Sequence, residues 1–228
     1  QPFAVLGGPN LTEAFADTLA ANKIVCVSCT PGQPNQWYVD RAPYVWDIQK
    51  NTDQNLQMVA EYIGKQVANR KAQYGGADVN GKPRKLGLVA LSASVQADEL
   101  RQGFIDDLKK NYGAEIFDLS TYSDPVALAS QAGEVMAKMK ASGVTTVIFY
   151  GDPLAPQALT KSATEQGFSP EWGMTGSALV DTTIFSRTYD QQQWAHAFGP
   201  SNLFARTNSS LTGSTFLYKW FFNADPPA

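Results

Sequence analysis

The chain has 228 residues, of which 43% are hydrophobic and 17% charged. That is enough for one large or two small folded domains and excludes a disordered polymer. A formal net charge of −3 argues against broad binding to a nucleic-acid backbone, and no apolar run reaches the roughly 18 residues of a membrane-spanning helix.

In chain order, Phe3–Leu6 reads as a strand that ends in the turn Gly7-Gly8-Pro9-Asn10. Asn10 or Thr12 caps a helix running to about Ala21. A Gly-rich turn that opens a helix can receive an anion on its free N–H groups, but the spacing is not that of a dinucleotide fingerprint. Ile24–Ser28 is the next strand and carries the two cysteines, Cys26 and Cys29. A C-x-x-C pair has a lowered thiol pKa where it opens a helix. Here it closes a strand and leads into a Pro/Gly loop, so the pair reads as structural, with a local disulfide as the alternative in an extracytoplasmic setting. Thr30–Arg41 reads as a polar loop, whose Trp37 and Tyr38 either line a site or cover a core. Tyr44–Asp47 is a short strand. Thr52 caps a helix from Asp53 to about Asn69, with Leu56, Val59, Ala60 and Ile63 inward.

Residues 71–84 are turn chemistry without periodicity. They read as the crossing between two lobes, with Gly75, Gly76 and Gly81 as hinge candidates. From Lys85 onward the pattern is regular. Lys85–Leu91, Ala114–Leu119 and Val144–Tyr150 are short continuous apolar runs, which suit strands buried on both faces of a parallel sheet. Gln96–Asn111 and Pro125–Ala141 between them are long enough for crossover helices. The unit is therefore βαβαβ and doubly wound, with ligand sites expected beyond the carboxyl ends of its strands. Those ends are Leu91–Ser94, Leu119–Thr121 and Tyr150–Asp152. A helix over Pro156–Gln166 and a strand over Trp172–Thr175 follow. Past Gly176-Ser177 the pattern weakens, leaving helices over Asp181–Phe185, Gln191–Phe198 and Ser214–Phe222.

The catalytic inventory is sparse. The one histidine, His196, has apolar neighbours, and no Gly-x-Ser-x-Gly elbow accompanies it. Neither metal-ligand spacing of Cys and His nor a P-loop is present. The carboxylate pairs Asp98-Glu99 and Asp106-Asp107 fall on helical surface positions. Asp152 differs because it follows a buried strand. It is either an acid with a perturbed pKa or a cap for the turn at Pro153. The expectation is a protein with no catalytic, metal or cofactor site.

Several segments, in order, carry a family resemblance: Phe-Ala-Val-Leu-Gly-Gly-Pro-Asn, Ile-Val-Cys-Val-Ser, Pro-Tyr-Val-Trp-Asp with Thr-Asp-Gln-Asn-Leu-Gln, Phe-Ile-Asp-Asp-Leu-Lys-Lys-Asn-Tyr-Gly-Ala-Glu-Ile, and Met-Lys-Ala-Ser-Gly-Val-Thr-Thr-Val-Ile-Phe-Tyr-Gly-Asp. From Phe3 to about Ser177 the chain resembles type I periplasmic solute-binding proteins of ABC transporters, in the Leu/Ile/Val-receptor branch. After that it resembles an offshoot with an atypical C-terminal half. The resemblance implies an α/β fold of two doubly wound, Rossmann-like lobes, incomplete at both ends, as in a middle fragment. It assigns 1–70 to the later part of lobe one, 71–84 to the crossing, 85–180 to lobe two and 181–228 to an atypical helical segment.

The same resemblance places ligand contacts at Gly8, Asn10 and Thr12, then Cys29, Thr30 and Pro31, in lobe one, with Trp37 nearby. In lobe two they fall at Ser92, Ser94 and Val95, at Tyr150, Asp152 and Pro153, and at Ser177. Amino-acid receptors of this kind carry aromatics at the Val95 and Pro153 positions and an acid at Ser177. This chain has neither, which points away from an α-amino acid. The implied function is an extracytoplasmic, non-enzymatic component of an ABC importer that binds a small polar or partly aromatic solute and docks on a permease, with no nucleic-acid partner. The alternatives are a ligand-sensing receptor domain on the same fold and a flavodoxin-like cofactor-binding enzyme. Missing units leave faces of lobe one bare, so covering by absent polypeptide or self-association is also expected.

Overall fold

The computed structural model describes residues 2–8, 13–30, 32–92, 94–176, 179–203 and 213–226. Strands β1 (Ala4–Leu6), β2 (Val25–Val27) and β3 (Val45–Trp46) form a three-stranded parallel sheet in the order β1-β2-β3. Helix α1 (Ala14–Ala21) joins the first two strands and packs Ala16 and Leu19 onto the sheet. The segment expected to be an irregular loop contains helix α2 (Asn35–Asp40). Its Pro, Gly and Asn content concealed it, and Pro34 in fact precedes its first turn.

The second sheet is also parallel and runs β5-β4-β6-β7, from β4 (Leu86–Leu91), β5 (Ile116–Tyr122), β6 (Thr146–Tyr150) and β7 (Glu171–Met174). Alternate residues serve opposite faces. Leu86, Leu88, Ala90 and Ile148 face one core, whereas Val89, Val147, Phe149 and Trp172 face the other. Helix α4 (Val95–Tyr112) covers the first face with Phe104 and Leu108. The second is covered by α5 (Pro125–Ala141) with Leu128 and Met136, and by α6 (Ala155–Glu165) with Leu159. Gly113 ends α4 in the left-handed conformation at φ 62°, where a Cβ is unfavourable. Short helices α7 (Thr183–Ser186) and α8 (Gln191–Trp194) follow, and α8 adds Trp194 to the second core. Helix α9 (Gly213–Phe222) leaves Phe216, Leu217, Trp220, Phe221 and Phe222 exposed.

Two expectations about the lobes need correction. Helix α3 (Thr52–Tyr62), with its wider continuation Ile63–Ala68, is expected in the first lobe. Its apolar stripe of Leu56, Val59, Ala60, Ile63 and Val67 instead packs on the second sheet, beside Leu86, Leu88 and Phe104. Residues 71–84 are therefore a loop within the second unit, because the segments on both sides of them share one core. Lys71 bridges Pro83. The side chain of Arg84, 4% exposed, meets that of Glu171, fully buried, with Nε donating to Oε2 over 2.7 Å and Nη2 to Oε1 over 2.9 Å. The N–H groups of Gln73 and Tyr74 donate to the same carboxylate at 2.7 and 3.1 Å. Burial is the largest single influence on Glu171 and pushes its carboxyl up. Arg84, the Thr146 hydroxyl and the two backbone donors outweigh it and hold the carboxyl below its usual value. A loop anchored in this way is a poor hinge, and the chain passes between the two sheets earlier, in the stretch from β3 to α3.

Candidate functional site

The strand order places a topological switch between β4 and β6, so the crevice of the second unit lies beyond Leu91-Ser92 and Tyr150-Gly151. The first turn of α3 reaches both sheets. Asn51 caps it reciprocally with Gln54. On the first-sheet side, the Thr52 N–H donates to Gln33 O at 3.2 Å and the Asn35 N–H to Asp53 Oδ2 at 2.7 Å. On the second-sheet side, Asn55 Nδ2 donates to Thr175 O, just beyond β7, at 3.2 Å. The start of α3 thus links the carboxyl edges of the two sheets.

Both edges carry a carboxylate, and both carboxylates are occupied. At the first, Asp47 accepts from Ser28 Oγ (3.1 Å), Tyr38 Oη (2.9 Å) and the N–H groups of Gly32 (3.1 Å) and Gln49 (3.0 Å). Burial, then the Asp47 hydrogen bond, pushes the Tyr38 phenol up to about 12. At the second, Asp152 Oδ1 accepts from the N–H groups of Leu154 (2.7 Å) and Ala155 (3.0 Å), and Oδ2 from the Tyr122 hydroxyl. Asp152 is therefore a cap for the start of α6. The Tyr122 phenol rises well above its ordinary range, through burial first and the Asp152 hydrogen bond second. Gly151 makes this contact available, because a Cβ there would run into Tyr122 Oη. Tyr189 closes the same corner, with its hydroxyl donating to Pro153 O at 2.7 Å.

The other expected site residues divide as follows. Ser94 caps α4, accepting from the Ala97 N–H at 3.1 Å. The Ser92 hydroxyl and Arg101 both bond Asp98 and hold that carboxyl below its usual value, Ser92 first. Tyr150 stands at the end of β6 and is raised by burial and then by the Asp53 charge. Thr30 is 3% exposed, and its Oγ1 is buried without a partner among the described residues. Cys29 is bonded to Cys26 in a disulfide and offers no thiol. Trp37 is in the core of the first unit, with the Arg41 guanidinium 4.0 Å above its ring, and does not line the crevice. Gly8 is exposed, with the Phe15 ring where a side chain would start. Asn10, Thr12, Pro31 and Ser177 lie outside the described residues.

Sequence reasoning missed Asp47, Tyr122 and Asn55. Asn55 did leave a signal, since it is a polar residue beside Leu56 on the inward stripe of an amphipathic helix, where solvation does not explain an amide. Its relative exposure is 9%, and its Oδ1 has no partner among the described residues.

Two parallel sheets, helices on both faces of the larger one and carboxyl edges joined by one helix turn give this chain the fold of type I periplasmic binding proteins. No protein-family model and no curated protein matches the sequence. Among solved structures, a branched-chain amino acid ABC transporter periplasmic ligand-binding protein from Burkholderia xenovorans matches 99% of this chain and 54% of its own, with TM-score 0.59 and 10% identity. An ABC transporter substrate-binding protein from Desulfitobacterium hafniense matches 98% and 58%, with TM-score 0.53 and 14% identity. An R. palustris ABC transporter solute-binding protein in complex with 4-hydroxybenzoate matches 76% and 43%, with TM-score 0.54 and 16% identity. This chain thus spans about half the length of these proteins. Among the described residues, no helix is long and apolar enough to cross a membrane.

Proposed function

We propose that the chain is the ligand-binding part of an extracytoplasmic, non-enzymatic substrate-binding component of an ABC importer, which takes a small polar or partly aromatic solute between the two carboxyl edges and docks on a permease. The observation that carries this is the first turn of α3, hydrogen-bonded to both edges at once. Ligands of doubly wound sheets bind at such edges. The Cys26–Cys29 disulfide fits an oxidising compartment. The crevice carries the Thr30 and Tyr150 hydroxyls, while the Ser92 hydroxyl is turned to Asp98 and Asp152 and Asp47 already have internal donors. A ligand ammonium therefore lacks a free acid from either, and Asp53, whose charge reaches Tyr150, is exposed to solvent, which weighs against leucine, isoleucine and valine. The R. palustris neighbour holds a hydroxylated benzoate, and a solute of that class suits neutral hydroxyls beside an aromatic ring.

A thermal-shift screen of the product of the complete reading frame tests this. A hydroxylated aromatic at a hundredfold excess over its Kd stabilises the protein by about 2.7 kcal/mol. Tyr150→Ala weakens that binding more than Asp152→Asn does. No stabilisation by any member of a metabolite library, in a screen validated on a related receptor, refutes the proposal.

A further inference from the structure

We propose that Asn55 selects the ligand, its side-chain oxygen accepting a hydrogen bond from a neutral hydroxyl of the bound solute. The inference rests on the solute-binding function and names the group that the crevice reads.

Asn55 is not needed to start the helix, and its tie to Thr175 uses only the Nδ2 end of the amide. The helix start is already capped by Asn51 and Gln54. The neighbouring polar residues of the first turns, Asp53, Gln54 and Gln57, are exposed, whereas Asn55 is buried beside Leu56 and Val59. Its Nδ2 is fixed on Thr175 O at 3.2 Å, so the amide plane is set and the direction of Oδ1 with it. That oxygen is buried with no hydrogen-bond partner among the described residues, an arrangement that folded proteins avoid unless something else supplies the donor. The second such atom at this junction is Thr30 Oγ1, two residues before Gly32, whose O accepts the Thr52 hydroxyl. The linking turn therefore has an unpaired acceptor on the second-sheet side and an unpaired hydroxyl on the first-sheet side.

The chemistry of the missing partner follows. A carboxylate pointed at Asn55 Oδ1 sets acceptor against acceptor. An ammonium there meets a neutral amide oxygen, Asp47 and Asp152 each already hold three or more donors, and the remaining nearby charge, Asp53, is exposed to solvent. A neutral hydroxyl pairs with Oδ1 at no charge penalty. In a hydroxylated aromatic solute the phenol is that group, and any acidic substituent points away from Asn55.

Calorimetry on the product of the complete reading frame, with 4-hydroxybenzoate, 4-methoxybenzoate and leucine, tests the assignment. The wild type favours 4-hydroxybenzoate over its O-methylated counterpart by at least about tenfold, the scale of leaving one buried acceptor unpaired. Asn55→Leu, checked for folding by circular dichroism, brings the two within about threefold of each other, on the same basis of one lost hydrogen bond. Equal wild-type affinity for the two benzoates overturns the inference without needing a variant, and so does a preference that persists in Asn55→Leu. Silence toward both benzoates also overturns it. If leucine or another library compound binds in that case, the solute-binding reading survives alone. If nothing binds, both fall.

Discussion

The two sheets are made of the same β/α unit but are covered to different extents. In β4 the run from Leu86 to Ala90 is buried throughout. In β1, Leu6 is 81% exposed, and Phe3 just before it is 87% exposed. Parallel sheets gain their stability from cover on both faces. The second sheet has α3 and α4 on one face and α5 and α6 on the other. The first has a small core of Ala16, Leu19, Ile24, Cys26, Cys29, Trp37 and Val45. It compensates with side-chain ties, in which Arg41 stacks on Trp37 and pairs with Glu13 at 3.3 Å and Asp17 at 2.7 Å. The second unit thus combines apolar cover on both faces with one buried ion pair, whereas the first has a small core tied by exposed and half-buried polar contacts and a disulfide.

The largest expected effect comes from the anchor of the second unit. Arg84→Leu leaves the Glu171 carboxylate buried without its counter-charge and destabilises the protein by about 3–5 kcal/mol, or roughly 6–20 °C in Tm. The sign with pH follows from the direction of the shift. Glu171 is held below its ordinary 4.5, so its contribution is present above that value and is lost as the pH falls through the lower folded-state pKa. Thermal melts should show the gap between wild type and variant narrowing on the acid side of 4.5. A gap that widens there would contradict the buried pair.

A matched substitution measures the contrast directly. Leu88, fully buried in β4, and Leu6 in β1 differ in burial but not in type. Leu88→Ala should cost about 2–5 kcal/mol, and Leu6→Ala should stay within about 0.5 kcal/mol in this chain. Denaturant titration gives both numbers. Repeating Leu6→Ala in the product of the complete reading frame sharpens the comparison, because a cost there above about 2 kcal/mol would identify the face that further polypeptide or another copy covers.

The smallest effect belongs to the first unit. Tyr38→Phe removes one of four donors from Asp47 and should cost about 0.5–1.5 kcal/mol. The phenol titrates near 12 in the folded chain against 10.0 unperturbed. Its stabilisation is complete below 10.0 and fades as the pH rises through about 12. Melts across that interval should converge for wild type and Tyr38→Phe. Parallel curves would mean that the Tyr38–Asp47 hydrogen bond does not hold the loop.

Hydrophobic period alone made the β/α alternation, the parallel character of the second sheet and the positions of α1, α4, α5 and α6 legible, because it is a local property of a few turns of chain, whereas the first sheet's parallel character came with the family resemblance. The sequence also placed Ser92, Tyr150 and Asp152 at strand ends, since position along a strand is legible without knowing what lies across from it. Three matters were decided only in the tertiary structure. The apolar stripe of α3 is the same whichever sheet it covers, and proximity assigned it to the second. Residues 71–84 look like a free crossing until Arg84 finds Glu171, 87 positions away. The roles of Asp152 and Asn55 depend on Tyr122, 30 positions before the aspartate, and on Thr175, 120 positions after the asparagine. Hydrogen-bond satisfaction is a property of pairs brought together through space, so whether an acid is free or an amide oxygen waits for a donor is settled only when the chain has folded.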